Sequence, residues 1–507
     1  MTPVYIAGAG MTQFGKSEST LTELMREAAL RAFAQSKIDA IDAIYVSAMN
    51  PEEFTGESNL ASRIAEALDL TGIPAVRVET ATSAGAAAVQ AAFQAVASGF
   101  YRNVLVVGGE KMTHVSTSAA TRILAKVLDE QERQCGATMP ALAAMITESY
   151  RRQHRLSQAR LEGILCRIAM KNHLNGSRNP YAQFREAITQ SKYTSSKLIA
   201  TPLRLYDCAP ITDGAAALLI TAEQTDLIIS GIGQGTAPVS LRTRPDIASF
   251  AATQIAARKA YGMATLSPRE IDFAEIHDAF TPFEIISTED LGFFVPGKGG
   301  DAVEAGRTSI EGDFPVNPSG GLKARGHPVG ASGVAQIVEA VKVFRGEAQF
   351  KFRREPRRAL MHSIGGFATN NFVTIVERAR EIMPTRNAVK QTAAESMHFR
   401  PSRRKKAPSR IASEGEIETF TVLYVTPDGF LPPLGLALVR DKKGTRLMAQ
   451  AEEITQLKIG RTVYLRQVAG IHYCTVKSHL QAVQRAITKL LNAARRRRRW
   501  ARRPEKK

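Results

Sequence analysis

The sequence predicts a layered α/β protein followed by a small all-β module, and three observations carry that prediction. Over residues 1–380, short apolar, β-branched runs alternate with helix-forming stretches, as in a sheet covered by helices. Two of those helical stretches look alike. SAGAAAVQAAFQAVASGF (83–100) and GASGVAQIVEAVKVFRGE (330–347) each open on small residues and end near a glycine. That likeness suggests two similar α/β halves. Third, the composition turns polar and basic from Met383 to Arg410, with Pro384, Pro401 and Pro408. The chain beyond it reads as short strands separated by turns such as TPDG and DKKG.

In chain order, VYIAGAG, AIYVSAM, AVRVE and NVLVVGGE read as buried strands, being short and bounded by glycine or polar residues. LTELMREAALRAFAQS, LASRIAEALDL and the stretch after Thr82 read as the helices between them. From about 113 to 235 long polar helices such as ITESYRRQHRLSQARLEGILCRIAMKNHLN suggest an insertion across the first layer. Alternation resumes with DLIISGIGQG, IDFAEIHDAF and the strand pair in ALMHSIGGFATNNFVTIVER. The expected division is therefore 1–235 for the first half with its insertion, 236–382 for the second, and 383–412 for a basic linker. A β module at 413–476 and a basic amphipathic helix with an arginine-rich tail at 477–507 complete it. GEIETFTVLYV, LGLALVR, TRLMAQAEEI and TVYLRQVAG are the strands expected in the β module, which at this size is a small barrel.

With 507 residues, 44% hydrophobic and 23% charged, the chain has the make-up of a soluble protein of several domains. No apolar run approaches the ~20 residues of a membrane span. No signal peptide and no terminal S-K-L address is visible. Cys135, Cys166, Cys208 and Cys474 are scattered, which fits a reducing cytoplasm without disulfides or a cysteine-held zinc. Of the net charge of +19, +7 falls in 386–410 and +8 in 495–507. The body is thus only slightly basic, and a nucleic-acid partner is not expected despite the basic tail.

Four stretches carry residues suited to chemistry. The glycine-rich NPSGGLKARGHPVGASG (317–333) holds His327 just before a helix, where an imidazole can act as a base or donate to an oxyanion. EIHDAFTPFE (275–284) places His277 and Asp278 at a strand end, where open α/β sheets bind ligands. MHSIGGFATNN (361–371) joins two strands at Gly365–Gly366, whose backbone N–H groups could form an oxyanion hole. In YDCAPITDGAAALLI (206–220), Asp213 and Gly214 form a turn feeding a buried strand, an architectural feature. In VETATSAGAAAV, Thr82 or Ser83 is expected to cap the following helix through its hydroxyl.

Together and in this order, NPSGG…GHPVGASG, DCAPITDGAAA and the H-D-x-F stretch resemble the thiolase superfamily, in particular the sterol-carrier-protein type of thiolase. The resemblance covers about residues 1–380. It implies two similar βαβαβαββ halves stacked as five α-β-α-β-α layers, a loop domain over the site, and an acyl-CoA substrate with coenzyme A as co-substrate. No covalently bound cofactor and no metal are implied, and at least a homodimer, or a dimer of dimers, is. Carried over by position, Thr82 falls on the family's nucleophilic cysteine in E-x-A-C-x-S-G. His327 falls on the histidine that activates it, and His277 on the residue that helps hold the thioester oxygen. Ser363 falls on the second cysteine of C-x-G-G, with Gly366 expected to lend its backbone to the oxyanion. The β module resembles the OB-fold domain that accompanies many bacterial and archaeal thiolases.

Neither cysteine is present, and an alkanol hydroxyl is a far weaker acid than a thiol. Three functions are therefore compatible with the sequence. The first is a thiolase-like acyltransferase acting on acyl-CoA thioesters with Thr82 in the nucleophile's place. The second is a retro-aldol lyase on a β-hydroxyacyl-CoA, which needs a base and an oxyanion site but no acyl-enzyme. The third is a non-catalytic acyl-CoA or lipid-binding scaffold.

Overall fold

The computed structural model describes residues 1–379 and 414–476. The expected linker and the expected C-terminal helix and tail lie outside the described residues. The first half supplies β1 (Tyr5–Met11), β2 (Ala43–Ser47), β3 (Ala75–Val78) and β4 (Asn103–Glu110). Then come the short β5 (Leu198–Ala200) and β6 (Leu203–Arg204), followed by β7 (Gly214–Thr221) and β8 (Leu227–Thr236). The second half continues with β9 (Phe273–Glu275), β10 (Arg358–Gly365) and β11 (Asn370–Arg378). Nine of these form one sheet in the order β3-β2-β4-β7-β1-β8-β11-β10-β9.

The order inverts about the seam where Tyr5 faces Ile228. On one side β1-β7-β4-β2 is answered on the other by β8-β11-β10-β9, the twofold repeat that the two alike helices suggested. The seam strands repeat a further device. Each carries alternate glycines, and each is covered by an alanine-rich outer helix, Leu21–Ala34 on β1 and Ala251–Ala264 on β8. A β-carbon at Gly8 would stand 2.1 Å from Ala32 O, and one at Gly233 2.0 Å from Ala256 O. Glycine is there because a backbone lies against it.

Between the half-sheets lie the helices Ala84–Ala97 and Val329–Phe344, in contact with each other and with strands of both halves. Nearly all their residues are buried, so they read as apolar and small all round rather than amphipathic. Outer helix, half-sheet, central pair, half-sheet and outer helix make the five expected layers. One expected strand differs in setting. AVRVE forms β3 at the sheet edge, where Val76 and Arg77 are exposed. The insertion also ends earlier than 235. β7 and β8 pair within the core sheet, so the inserted helices, among them Met139–Gln153 and Gln158–Ser177, precede Gly214. The apolar run GAAALLI is a strand buried on both faces, which the polar helices before it do not announce.

The C-terminal module is a closed barrel of β12 (Glu414–Leu423), β13 (Leu434–Asp441), β14 (Arg446–Ala451), β15 (Thr462–Val468) and β16 (Ile471–Val476). The strands follow β12-β13-β14-β16-β15 and close back onto β12, with β14 and β16 parallel. That is the strand order of an OB-fold. β16, which follows the Ala469–Gly470 turn, is a strand the sequence pattern did not single out.

The barrel is seated on the insertion. Thr419 Oγ1 donates to Met145 O at 3.0 Å, Gln450 Nε2 to Cys135 O at 3.2 Å, and Thr201 N to Val422 O at 3.0 Å. Leu423, Leu436, Leu438 and Met448 share one apolar core with Leu142, Phe283, Ile364 and Phe367. Among the described residues no helix is long and apolar enough to cross a membrane.

Candidate active site

After β3 the chain turns over Glu79–Ser83, with Ala81 in the left-handed region at φ 56° and the Glu79 carboxylate accepting from its N–H. Non-glycine residues rarely take that conformation, and it tends to mark sites where a side chain must be aimed. Thr82 is buried, and its Oγ1 donates to Ile364 O at 2.6 Å. The Ser83 hydroxyl faces Thr80 O at 2.9 Å and Asn370 O at 3.0 Å. The expected helix cap is not made. Ser83 occupies the N-cap position of Ala84–Ala97 without a side-chain bond to the helix, and Thr82 has turned to the hairpin as well. Both hydroxyls are placed to donate to carbonyls instead, and in that placement neither caps the orphan N–H groups of the helix.

Two of these carbonyls, Ile364 O and Asn370 O, come from the hairpin of β10 and β11. Gly365 lies directly under the threonine turn, since a β-carbon there would stand 2.2 Å from Ser83 Oγ and 2.6 Å from Thr80 O. Gly366, the expected oxyanion donor, lies in the hairpin turn at φ 60°, with Thr369 closest to it. Of the glycine pair it is thus Gly365 that abuts the Thr80–Ser83 segment. Ser363 is buried and its hydroxyl finds no hydrogen-bond partner among the described residues. β9 and β10 run parallel, with Glu275 beside Met361. Two residues further come His277, just past the end of β9, and Ser363, within β10.

The glycine-rich loop is tied down before it delivers His327. Asn317 Oδ1 accepts from Ile276 N at 2.7 Å, and Glu275 accepts from Ser319 N at 3.0 Å and from Ser319 Oγ at 2.7 Å. The fully buried Arg325 lies 3.7 Å from the same carboxylate. Asp278 Oδ1 accepts from Leu322 N at 2.6 Å, and Asn172 Nδ2 donates both to Asp278 Oδ2 (2.7 Å) and to Glu284 Oε2 (2.9 Å). Gly321 must be glycine here, being at φ 58° with its β-carbon position 2.5 Å from the Asp278 carboxylate. Burial, then Glu284, pushes Asp278 up to about 6.

His327 N donates to Thr212 Oγ1 at 2.9 Å, and its Nδ1 lies 2.7 Å from Ser332 Oγ. Ser332 has one hydroxyl hydrogen and gives it to Pro328 O at 3.0 Å. With that hydrogen on Pro328 O, Nδ1 is the donor to Ser332 Oγ and Nε2 is left as the acceptor. The His277 ring meets the His327 ring edge-on, centroids 4.9 Å apart, and its Nδ1 has no hydrogen-bond partner among the described residues. Burial, then Arg325, pushes His327 down to about 3. Burial, then the neighbouring His327 and His362, holds His277 well below the usual histidine range. Both rings are neutral at physiological pH. The two candidate segments also touch, because Gly85 packs on Gly330, Gly333 and Val334 just past His327.

The structure thus joins Thr82 to the hairpin bearing Ser363 and joins His327 to His277. Asp213 is an organising carboxylate, as expected. It accepts from Met112 N, Thr113 N and Thr113 Oγ1 at 2.6, 2.8 and 2.6 Å. Ser332 and Thr212, which hold His327, were not singled out by the sequence. Ser332 could have been found, since it sits one helical turn past His327, whereas the Ile364 carbonyl leaves no trace in sequence. Chemically, the site offers an unprotonated imidazole nitrogen, a second neutral imidazole, two hydroxyls and a helix N-terminus that favours negative charge.

Comparison with known proteins agrees with this architecture. Residues 4–224 match the family model of the thiolase N-terminal domain, and 233–378 that of the thiolase C-terminal domain-like family. Acetyl-CoA acetyltransferase of Methanothermobacter thermautotrophicus is 39% identical over 389 residues, covering 75% of this chain and 100% of that protein. A monomeric SCP2-thiolase like protein type 1 from Mycobacterium smegmatis superposes with a TM-score of 0.73 at 18% identity, covering 94% of this chain and 99% of that one. A structure titled Ltp2-ChsH2(DUF35) aldolase superposes with a TM-score of 0.65 at 24% identity, over 75% and 99% of the two chains.

Proposed function

The chain belongs to the thiolase family, and on that premise we propose that it makes or breaks a carbon–carbon bond beside a coenzyme A thioester without an acyl-enzyme, as a retro-aldol lyase of β-hydroxyacyl-CoA. One observation carries this reading. The hydroxyl in the nucleophile's place, Thr82 Oγ1, gives its hydrogen to the Ile364 carbonyl rather than to an imidazole. Attack by an alkanol needs a base on its own proton, and here that proton is engaged by the Ile364 carbonyl.

In the proposed reaction, His327 Nε2 takes the proton of the substrate's β-hydroxyl. The O–H electrons form the carbonyl of the leaving aldehyde or ketone, and the Cα–Cβ pair moves onto the thioester as an enolate. His277 faces that oxygen, and the imidazolium returns the proton to Cα, so nothing is oxidised or reduced overall. The enolate's negative charge favours the imidazolium while it lasts, which offsets the low basicity that burial imposes on His327. The same fold carries an aldolase in one solved neighbour, by that structure's title.

A second reading is favoured by the relative named acetyl-CoA acetyltransferase, which aligns over its full length. It is acyl transfer through Thr82. The two readings separate on Thr82→Ala. Incubated with β-hydroxyacyl-CoA, this variant is expected to release aldehyde or ketone at a rate within about tenfold of the unmodified protein, the scale of one lost hydrogen bond. Thiolysis of 3-ketoacyl-CoA that disappears in Thr82→Ala, with no lyase product from either protein, would establish acyl transfer instead.

The pH dependence follows from the buried imidazole. A base works unprotonated, and with its pKa near 3 His327 is unprotonated at every pH above about 4. The acid limb that His327 sets in kcat/KM is therefore expected below pH 4. A limb at about 6.5, the value of a solvated histidine, would put the working imidazole in water and contradict the burial.

A further inference from the structure

The barrel reaches the candidate site through two arginines. Arg446 on β14, its guanidinium held by Glu418 of β12 at 2.7 Å, donates from Nη1 to the main-chain carbonyl of Arg244. Arg244 is buried in the strap that follows β8. Its own guanidinium donates from Nη2 to Phe367 O and from Nε to Pro238 O at 3.1 Å. Phe367 lies in the turn between β10 and β11. The residues flanking that turn accept from Thr82 (Ile364 O) and Ser83 (Asn370 O). The strap is bound to the turn a second time, by Ala237 N to Thr369 O at 2.9 Å, and to the insertion by Glu132, which accepts from Ser240 and Leu241.

A buried guanidinium costs free energy that an apolar side chain of similar volume would not. Here it is spent on main-chain carbonyls, groups that fix where a backbone lies. We propose that Arg446 and Arg244 are positioning residues. Through them the barrel of this same chain holds the 364–370 turn in register with Thr82 and Ser83, so the site is complete only when the barrel is docked. The inference rests on the proposed function for its kinetic consequence alone.

The test uses hydrogen–deuterium exchange of the full chain. In Arg446→Ala and Arg244→Gln, peptides spanning 361–371 are expected to exchange faster, on the order of tenfold. Peptides of β1, β2 and β4 keep their protection, and Arg446→Lys, which retains one donor, recovers part of the loss. Thr419→Val removes a barrel–insertion bond, to Met145 O, that takes no part in the arginine relay, and is expected to leave 361–371 unchanged. With β-hydroxyacyl-CoA, kcat falls on the order of 10- to 100-fold in both arginine variants while KM holds, as for a misplaced rather than an absent group. Unchanged exchange at 361–371 in both arginine variants overturns the proposal, as does equal acceleration in Thr419→Val. If the unmodified protein turns over no such substrate, the proposed function fails, and the exchange result still decides the inference.

Discussion

Replacing His327 with alanine is expected to lower turnover of a β-hydroxyacyl-CoA by 10²- to 10⁴-fold, the range a positioned base contributes. The size follows from how little else could take the proton. The Thr82 hydroxyl is bonded to Ile364 O, and His277 is held neutral beside His327 with its charge disfavoured by burial. His327→Asn keeps a side chain that can donate to Ser332 and should fall as far, because an amide nitrogen has no lone pair to accept a proton. Ser332→Ala removes the partner at Nδ1 and frees the tautomer, so a smaller loss is expected there. Initial rates of aldehyde or ketone release, with folding checked by circular dichroism, make the measurement. Turnover within tenfold of the parent in both His327 variants would exclude it as the base.

The largest expected effect on stability comes from Gly333→Val. A β-carbon at this position would stand 2.4 Å from Ala86 N and 3.0 Å from Ala86 Cβ, where the two central helices cross. The obstacle is backbone, and both helices are clamped between half-sheets, so neither can retreat cheaply. Overpacking of this kind costs roughly 1–3 kcal/mol, and the β-branched residue places the change at the upper end or beyond. The denaturation midpoint should fall accordingly. Because Gly85, Gly330 and Gly333 hold the helix starts behind Thr82 and His327, activity should fall before the fold is lost. Gly262→Ala offers a contrast, being in a helix with no atom within 4 Å of the added carbon. It should be neutral or slightly stabilising. Equal midpoints for Gly333→Val and the parent would mean that the crossing is looser than these distances state.

Much of the architecture was legible because it rests on periodicity and on small residues. The alternation of strand and helix, the repeat of the two alanine- and glycine-opened helices and the compositional break before the barrel all have a direct structural counterpart. Where reading along the chain failed, a tertiary contact had overruled a local preference. AVRVE is apolar enough for a buried strand, yet it lies at the sheet edge because no further strand follows it in the order. Thr82 and Ser83 have the chemistry of caps, but their hydroxyls donate to hairpin carbonyls some 280 residues away, and side chains so placed make no cap bond to the helix N–H groups. The glycine pair 365–366 marked the hairpin, and only its packing distinguished the residue against Ser83 from the residue in the turn.

By itself, the sequence determined a two-half layered fold, its β-barrel appendage, the family, and the two imidazoles and missing sulfur of the candidate site. These depend on residue identity and spacing, which a chain displays directly. The tertiary structure alone decided that His327 carries its proton on Nδ1, that the Thr82 hydroxyl is already spent on Ile364, and that the barrel grips the hairpin beneath it. The last two rest on hydrogen bonds between groups distant in sequence, to carbonyls that every residue possesses, and direction and distance, not composition, choose the partner.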